Sequence, residues 1–195
     1  MYGVDFDVPG VWHMLGRVMH LALTAIGRDR PGIVAATTAV LLRHGINVED
    51  SRMSILRGHF TMMLIVSMPD EVDRERLRTE LEAVAVELGL EALALSEVEE
   101  VDTPAQATHV VTVYGVDHPG IVHRVAAVLA ERRASITDLQ TRLVDEGGEP
   151  SLYALLMEVA LPARVDASEL DAALASTAES ESVDVSFHQL ERHEL

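Results

Sequence analysis

The stretch that decides the fold is Gly27-Arg28-Asp29-Arg30-Pro31-Gly32-Ile33-Val34, which returns later as Gly115-Val116-Asp117-His118-Pro119-Gly120-Ile121-Val122. When the chain is aligned with itself at an offset of 88 residues, 20–50 and 108–138 match without a gap and share eleven identities in thirty-one positions. An identity level of this kind indicates an internal repeat. The chain is therefore predicted to contain two copies of one module of about 80 residues.

Each copy predicts the order strand, helix, strand, strand, helix, strand. In the first copy, the apolar run 18–26 ends at a turn signal, which indicates a strand. Pro31 suits the first turn of the following helix, and Asp29 is a candidate cap for it. Asp117 and Pro119 take these places in the second copy. Alternating apolar residues then predict two strands, and a second helix and a final strand follow in both copies.

This order is that of a ferredoxin-like βαββαβ unit. We therefore expect an α+β fold in which each antiparallel sheet carries two helices on one face. Met53, Met62, Met63 and Met68 are expected to fill the core of the first sheet. The predicted boundaries are an N-terminal tail (1–17), a first module (18–98), an acidic, Pro-containing linker (99–107) and a second module with a short C-terminal tail (108–195).

Composition excludes several classes of function. The chain has no cysteine, so thiol catalysis and cysteine metal sites are ruled out. All fifteen basic residues are arginine, so a catalytic or phosphate-binding lysine is absent. Thirty-two acidic residues bring the formal charge to −17, which argues against direct binding to nucleic acid. No apolar run is long enough for a membrane span and no secretory signal is present, so a cytoplasmic protein is expected.

The repeated turn has the chemistry of a small-molecule site. Gly32 and Gly120 allow a close approach to the backbone, and the free N–H groups at a helix start attract a carboxylate. Asn47 and Asp50, at the next strand, are placed to meet the cationic end of the same molecule. The alternative is that Asp caps the helix, Pro starts it and Gly permits the turn, without any ligand. From the residues alone, both interpretations stand.

Other candidate chemistry is weaker. His118 and His123 are five residues apart, which is not the one-turn spacing of a helical metal pair, so no metal or cofactor is predicted. Arg74, Arg76 and Arg78 alternate with glutamates and predict an ion-paired exposed helix face. No catalytic triad and no glycine-rich phosphate loop is evident, and no catalytic residue is predicted.

The repeated stretch, followed by His44-Gly45-Ile46-Asn47-Val48-Glu49-Asp50-Ser51-Arg52, resembles an ACT domain. Two such modules, with Phe60-Thr61-Met62-Met63-Leu64 after that segment, are similar to the glycine cleavage system transcriptional repressor family over about residues 19–191. The resemblance implies amino-acid binding at the loop between the first strand and the first helix, commonly at an interface between two modules. It also implies that paired modules lie side by side as one eight-stranded sheet.

Carried over residue by residue, the resemblance implies two ligand-binding sets. Ser135 replaces the asparagine in the second copy, and its shorter side chain reaches less far. The expected ligand-binding residues are Asp29, Arg30, Pro31, Gly32, Ile33 and Asn47 in the first module, and Asp117, His118, Pro119, Gly120 and Ile121 in the second.

The resemblance implies a non-enzymatic sensor of a small amino acid, with glycine or serine as the first candidate. Its partner would be another protein, such as a DNA-binding regulator of glycine or one-carbon metabolism, and unpaired edge strands favour a homodimer. Two alternatives remain from the sequence: a regulatory subunit that acts on a separate metabolic enzyme, and a structural adaptor with vacant sites.

Overall fold

A computed structural model describes residues 18–98, 105–144 and 151–190. The chain forms two compact units, which divide between Glu100 and Val101. The first unit has six elements in the predicted order. Their bounds are β1 (Val18–Arg28), α1 (Ile33–Arg43), β2 (Asn47–Leu56), β3 (His59–Pro69), α2 (Arg74–Leu88) and β4 (Leu90–Glu97).

The second unit repeats this order within its described residues. The predicted N-terminal tail and the loop at 145–150 lie outside the described residues, as does most of the predicted linker. The bounds are β5 (His109–Val116), α3 (Ile121–Glu131), β6 (Ser135–Val144), β7 (Leu152–Ala160), α4 (Ala167–Glu181) and β8 (Val183–Gln189).

Both units have the predicted sheet. The strand orders are β2-β3-β1-β4 and β6-β7-β5-β8, and every neighbouring pair is antiparallel. Each sheet thus has its first and third strands in the centre, as the ferredoxin-like βαββαβ arrangement requires. The fold prediction is confirmed for each module. An eight-stranded sheet made from both stays a prediction.

One face of each sheet is buried under the two helices of its module. In the first module, alternate residues of β1 and β3 join α1 and α2 residues in one apolar core. Met62 and Met68 belong to this core, as predicted. Met53 and Met63 do not, because half of each residue remains exposed. Met63 lies at an outward position of β3 between two buried ones, and Met53 lies on the edge strand β2.

Two glycines of the first module are required for different reasons: Gly27 by a close approach of two strands, and Gly58 by a tight hairpin turn. At Gly27, the β1–β4 pairing shifts register, and an added Cβ would lie 2.9 Å from the Cα of Leu90. The absence of a side chain therefore lets β4 approach β1. At the β2–β3 hairpin, Arg57 and Gly58 have φ values of 51° and 81°. Two positive φ values match the tight turn that suits the twist of antiparallel strands.

The exposed face of α2 is ion-paired, as its arginine spacing predicted. Arg74 contacts Glu97 at 2.9 Å and Arg76 contacts Glu80 at 3.1 Å. Glu80 also accepts a 3.0 Å hydrogen bond from Arg43 at the end of α1. Its carboxylate therefore joins the two helices of the first module.

The Glu80→Gln substitution should reduce the acid sensitivity of the first module. Hydrogen bonds from Arg43, the larger cause, and from Arg76 hold the pKa of Glu80 below its ordinary value of 4.5. A lowered folded-state pKa contributes stability above the unfolded-state value, and this contribution is lost as the pH falls through the folded-state value. The Tm of the variant should therefore fall less than that of the wild type between about pH 5 and about pH 3.

Thermal melting at several pH values measures this difference. Glu82→Gln is the matched control, because it removes the same charge from an exposed position of α2. Equal acid sensitivity in wild type and Glu80→Gln would show that the carboxylate contributes nothing through its arginines.

Among the described residues, no helix is both long enough and apolar enough to cross a membrane.

Candidate functional site

The turn between β1 and α1 is held at both ends by backbone hydrogen bonds. The Asp29 N–H donates to the Gly58 carbonyl at 2.9 Å, which ties the turn to the β2–β3 hairpin. At the other end, Gly32 has φ 98°, and its carbonyl accepts from the Ala36 N–H at 2.8 Å. Since this conformation is unfavourable for a residue with a Cβ, the position favours glycine. The Gly32 turn, residues 29–33, is thus a defined structure.

The helix start differs from its prediction. Gly32 is the N-cap residue, and α1 begins at Ile33, so Pro31 lies just outside the helix instead of in its first turn. Asp29 does not cap α1, because none of the described side chains accepts a hydrogen bond from the backbone N–H groups at the start of this helix. The left-handed Gly32 reverses the chain after Asp29, and this displaces the carboxylate from the cap position. Without a side-chain cap, the first-turn amides can serve an anion.

The first module places cationic side chains around this turn. Arg28 ends β1, Arg30 lies in the turn, and Arg57 lies in the hairpin that receives the Asp29 bond; all three are exposed. The Arg30 guanidinium packs over the end of α2, where a Cβ on Gly89 would lie 3.6 Å from its nitrogens. An added Cβ at Gly32 would meet nothing within 4 Å. The turn is therefore open and bordered by positive charge, although the chain as a whole is acidic.

Asn47 lies far from the Gly32 turn within its own module. It pairs with Ser67, which also pairs with His20 near the start of β1. The turn follows Arg28, eight residues further along β1. At roughly 3.3 Å per residue this is about 25 Å. A free amino acid cannot touch both groups there, so the expected grouping is not formed within the module. A role for Asn47 in ligand binding stays a prediction.

The second module has the same turn with different surroundings. The Asp117 N–H donates to the Ser151 carbonyl at 2.9 Å. Gly120 is the N-cap residue of α3, has φ 113°, and provides no side-chain hydrogen bond to the helix start. His118 Nε2 lies 2.9 Å from the Glu181 carbonyl oxygen at the end of α4. Because a carbonyl only accepts, this nitrogen is the donor. Pro119 precedes Gly120 as Pro31 precedes Gly32, and Ile121 is buried like Ile33.

Ser135 repeats the position of Asn47 in the second module. It pairs with Ala160, whereas Val116, which leads into the turn, pairs with Leu152 at the other end of β7. The distance between the turn and the next strand's start is thus a property of the fold. The short separation in sequence suggested that the turn and this strand start lie close together. They do not, because α1 and α3 each return the chain to the opposite end of the sheet.

The histidines of the second module have separate surroundings. His118 bonds to the end of α4, and His123 is exposed on α3. In the ranges that the structure describes, no three or more histidine, aspartate or glutamate side chains are grouped to hold a metal ion.

Two tandem βαββαβ modules with a glycine turn after each first strand define an ACT-domain protein. The ACT domain matches residues 19–94 and 107–188, so the chain belongs to the ACT family. More particularly, it is homologous to the glycine cleavage system transcriptional repressor of Escherichia coli, with 28% identity over 155 residues, or 79% of this chain and 81% of the repressor. The chain is an ACT-domain regulatory protein related to that repressor.

Two further proteins are similar to this chain. A UPF0237 protein of Methanopyrus kandleri is 40% identical over 76 residues, which cover 38% of this chain and 84% of that protein. The crystal structure of an unknown protein from Galdieria sulphuraria matches with a TM-score of 0.77 at 28% identity, covering 90% of this chain and all of that one. The former corresponds to one module and the latter to most of the chain.

Proposed function

We propose that this protein is a non-enzymatic sensor that binds a small amino acid at the Gly32 turn. The observation that carries the proposal is the start of α1, where no described side chain caps the amides and the space beside Gly32 is open. A helix N-terminus carries a partial positive charge and directs N–H groups outward. The carboxylate of the ligand would lie against these amides.

The charges around the turn favour the same ligand chemistry. Arg28, Arg30 and Arg57 attract a carboxylate, and Asp29 is the acidic side chain nearest in sequence to meet an α-amino group. Glycine and serine are the first candidates, since the chain is related to a repressor that is named for glycine cleavage.

The output of the sensor would be contact with another protein. A ligand shifts a conformational equilibrium only by its different affinities for the two states. A formal charge of −17 opposes direct DNA binding and favours a basic protein surface as the partner. We therefore place this chain upstream of a separate DNA-binding regulator of glycine or one-carbon metabolism.

Thermal melting with each of the twenty amino acids tests the sensor. A ligand present at about a hundred times its Kd adds about 2.7 kcal/mol to the free energy of unfolding, so one or a few amino acids should raise the Tm clearly. The Gly32→Leu variant should lose this rise, because its side chain enters the open space beside the turn. If no amino acid raises the Tm of the wild type, the sensor proposal is wrong.

Gly45→Leu is the matched control. Gly45 also has a positive φ, 66°, and open space around it, but it follows α1 instead of preceding it. Both leucines introduce backbone strain, and the strain is larger at Gly32, because its φ of 98° and ψ of −9° lie outside the left-handed region that residues with a Cβ can adopt. The Gly45 variant should keep the ligand-induced rise. A rise that survives in Gly32→Leu would exclude the first turn as the binding site.

A further inference from the structure

A side chain of the chain itself covers the Gly120 turn. The side chain of Glu181, the last residue of α4, is only 9% exposed, and its Oε1 lies 2.7 Å from Nε of Arg124. Its Oε2 lies 3.9 Å from Nδ1 of His118 and 3.9 Å from the position of a Cβ on Gly120. A nearly buried carboxylate therefore lies beside the glycine turn, with its charge met by an arginine of α3.

Among the described residues, the first module has no equivalent group. The helices α2 and α4 both have fifteen residues, and both end before a left-handed residue, so Leu88 is the counterpart of Glu181. The helices α1 and α3 both have eleven residues after a left-handed glycine, so Ala36 is the counterpart of Arg124. Neither Leu88 nor Ala36 can form an ion pair. The same fold thus leaves one turn open and covers the other with a carboxylate.

A tethered carboxylate competes strongly with a free one. Because Glu181 is attached beside the turn, its effective concentration there is in the millimolar range or higher. A free ligand would also have to separate Glu181 from Arg124 and leave a nearly buried charge without its partner, which is costly. Arg124 and the α3 N-terminus would otherwise suit a free carboxylate.

We propose that Glu181 is a built-in ligand that occupies the Gly120 turn, so that each chain takes one free carboxylate ligand, at the Gly32 turn. The assignment of the ligand to Gly32 rests on the proposed function, whereas the occupation of Gly120 does not. Removal of the Glu181 side chain should create a second carboxylate site, with Arg124 as its cationic partner and His118 beside it.

Nuclear magnetic resonance of the ¹⁵N-labelled full chain tests this directly, with sodium acetate as the probe. In the wild type, acetate should leave the Gly120 amide signal unmoved over the range in which it saturates the Glu181→Ala variant. We expect the apparent affinity at Gly120 to rise at least about tenfold in that variant, since the tethered competitor is gone. Glu179→Ala, which removes an exposed charge from the same end of α4, should behave like the wild type.

Two results would overturn the proposal: an equal response of Gly120 in wild type and Glu181→Ala, or no response in a folded Glu181→Ala. If that variant does not fold, Glu181→Gln decides, because it keeps the size of the side chain and removes its charge. Acetate should then move the Gly120 signal in Glu181→Gln more than in wild type, and an unchanged response would refute the proposal. Binding of an amino acid at Gly32 is read from a different signal, so either proposal can fail without the other.

Discussion

Phe60→Ala should lower the free energy of unfolding of the first module by about 3–5 kcal/mol. Phe60 begins the buried face of β3, pairs with Gly27 of β1, and is 2% exposed. Truncation removes most of a buried aromatic ring and leaves a cavity that the surrounding strands can only partly fill. This is the largest loss expected among the substitutions considered.

Urea unfolding followed by circular dichroism measures the loss, and hydrogen exchange of the β1 and β3 amides locates it. Met63→Ala is the control, since Met63 lies on the same strand but is half exposed. We expect it to cost less than about 1 kcal/mol, because the removed atoms were already partly in water. Similar losses in the two variants would contradict the buried face assigned to β3.

Gly27→Ala should lower the free energy of unfolding by about 2–3 kcal/mol, although it adds a single methyl group. That methyl carbon would lie 2.9 Å from the Cα of Leu90 and 3.3 Å from the backbone nitrogen of Glu91. Backbone atoms cannot rotate away, so β1 and β4 must separate at the register shift. Gly27 lies five residues before Gly32, so the displacement should also weaken ligand binding at the turn.

Gly45→Ala is the control that separates the steric clash between β1 and β4 from the cost of placing a Cβ on a residue with positive φ. Its Cβ would meet nothing within 4 Å, and only its φ of 66° opposes alanine. The expected loss is about 1 kcal/mol. Gly115→Ala should resemble Gly27→Ala, because its Cβ would lie 3.1 Å from the Cα of Val183. A loss at Gly27 no greater than that at Gly45 would show that the strands adjust freely.

The architecture was predictable because its signals are local. Alternating apolar residues in β3 and helical spacing in α1 each lie within about a dozen residues, and the repeat supplied each signal twice. In the second module, Asp166 is the N-cap residue of α4, and its side chain accepts a hydrogen bond from the Ser168 N–H. The cap assigned to Asp29 was wrong because a left-handed Gly32 reverses the chain first, and sequence spacing does not reveal a φ value.

By itself, the sequence determined the two modules, the order of their elements and the glycine of each turn, since these follow from repetition and local periodicity. Only the tertiary structure decided what surrounds each turn. Strand pairing places Asn47 at the far end of its sheet from Gly32. The end of α4 brings Glu181 onto Gly120, sixty-one residues earlier in the chain. Such contacts depend on how strands and helices pack across long separations, and the two nearly identical turns therefore acquire opposite surroundings.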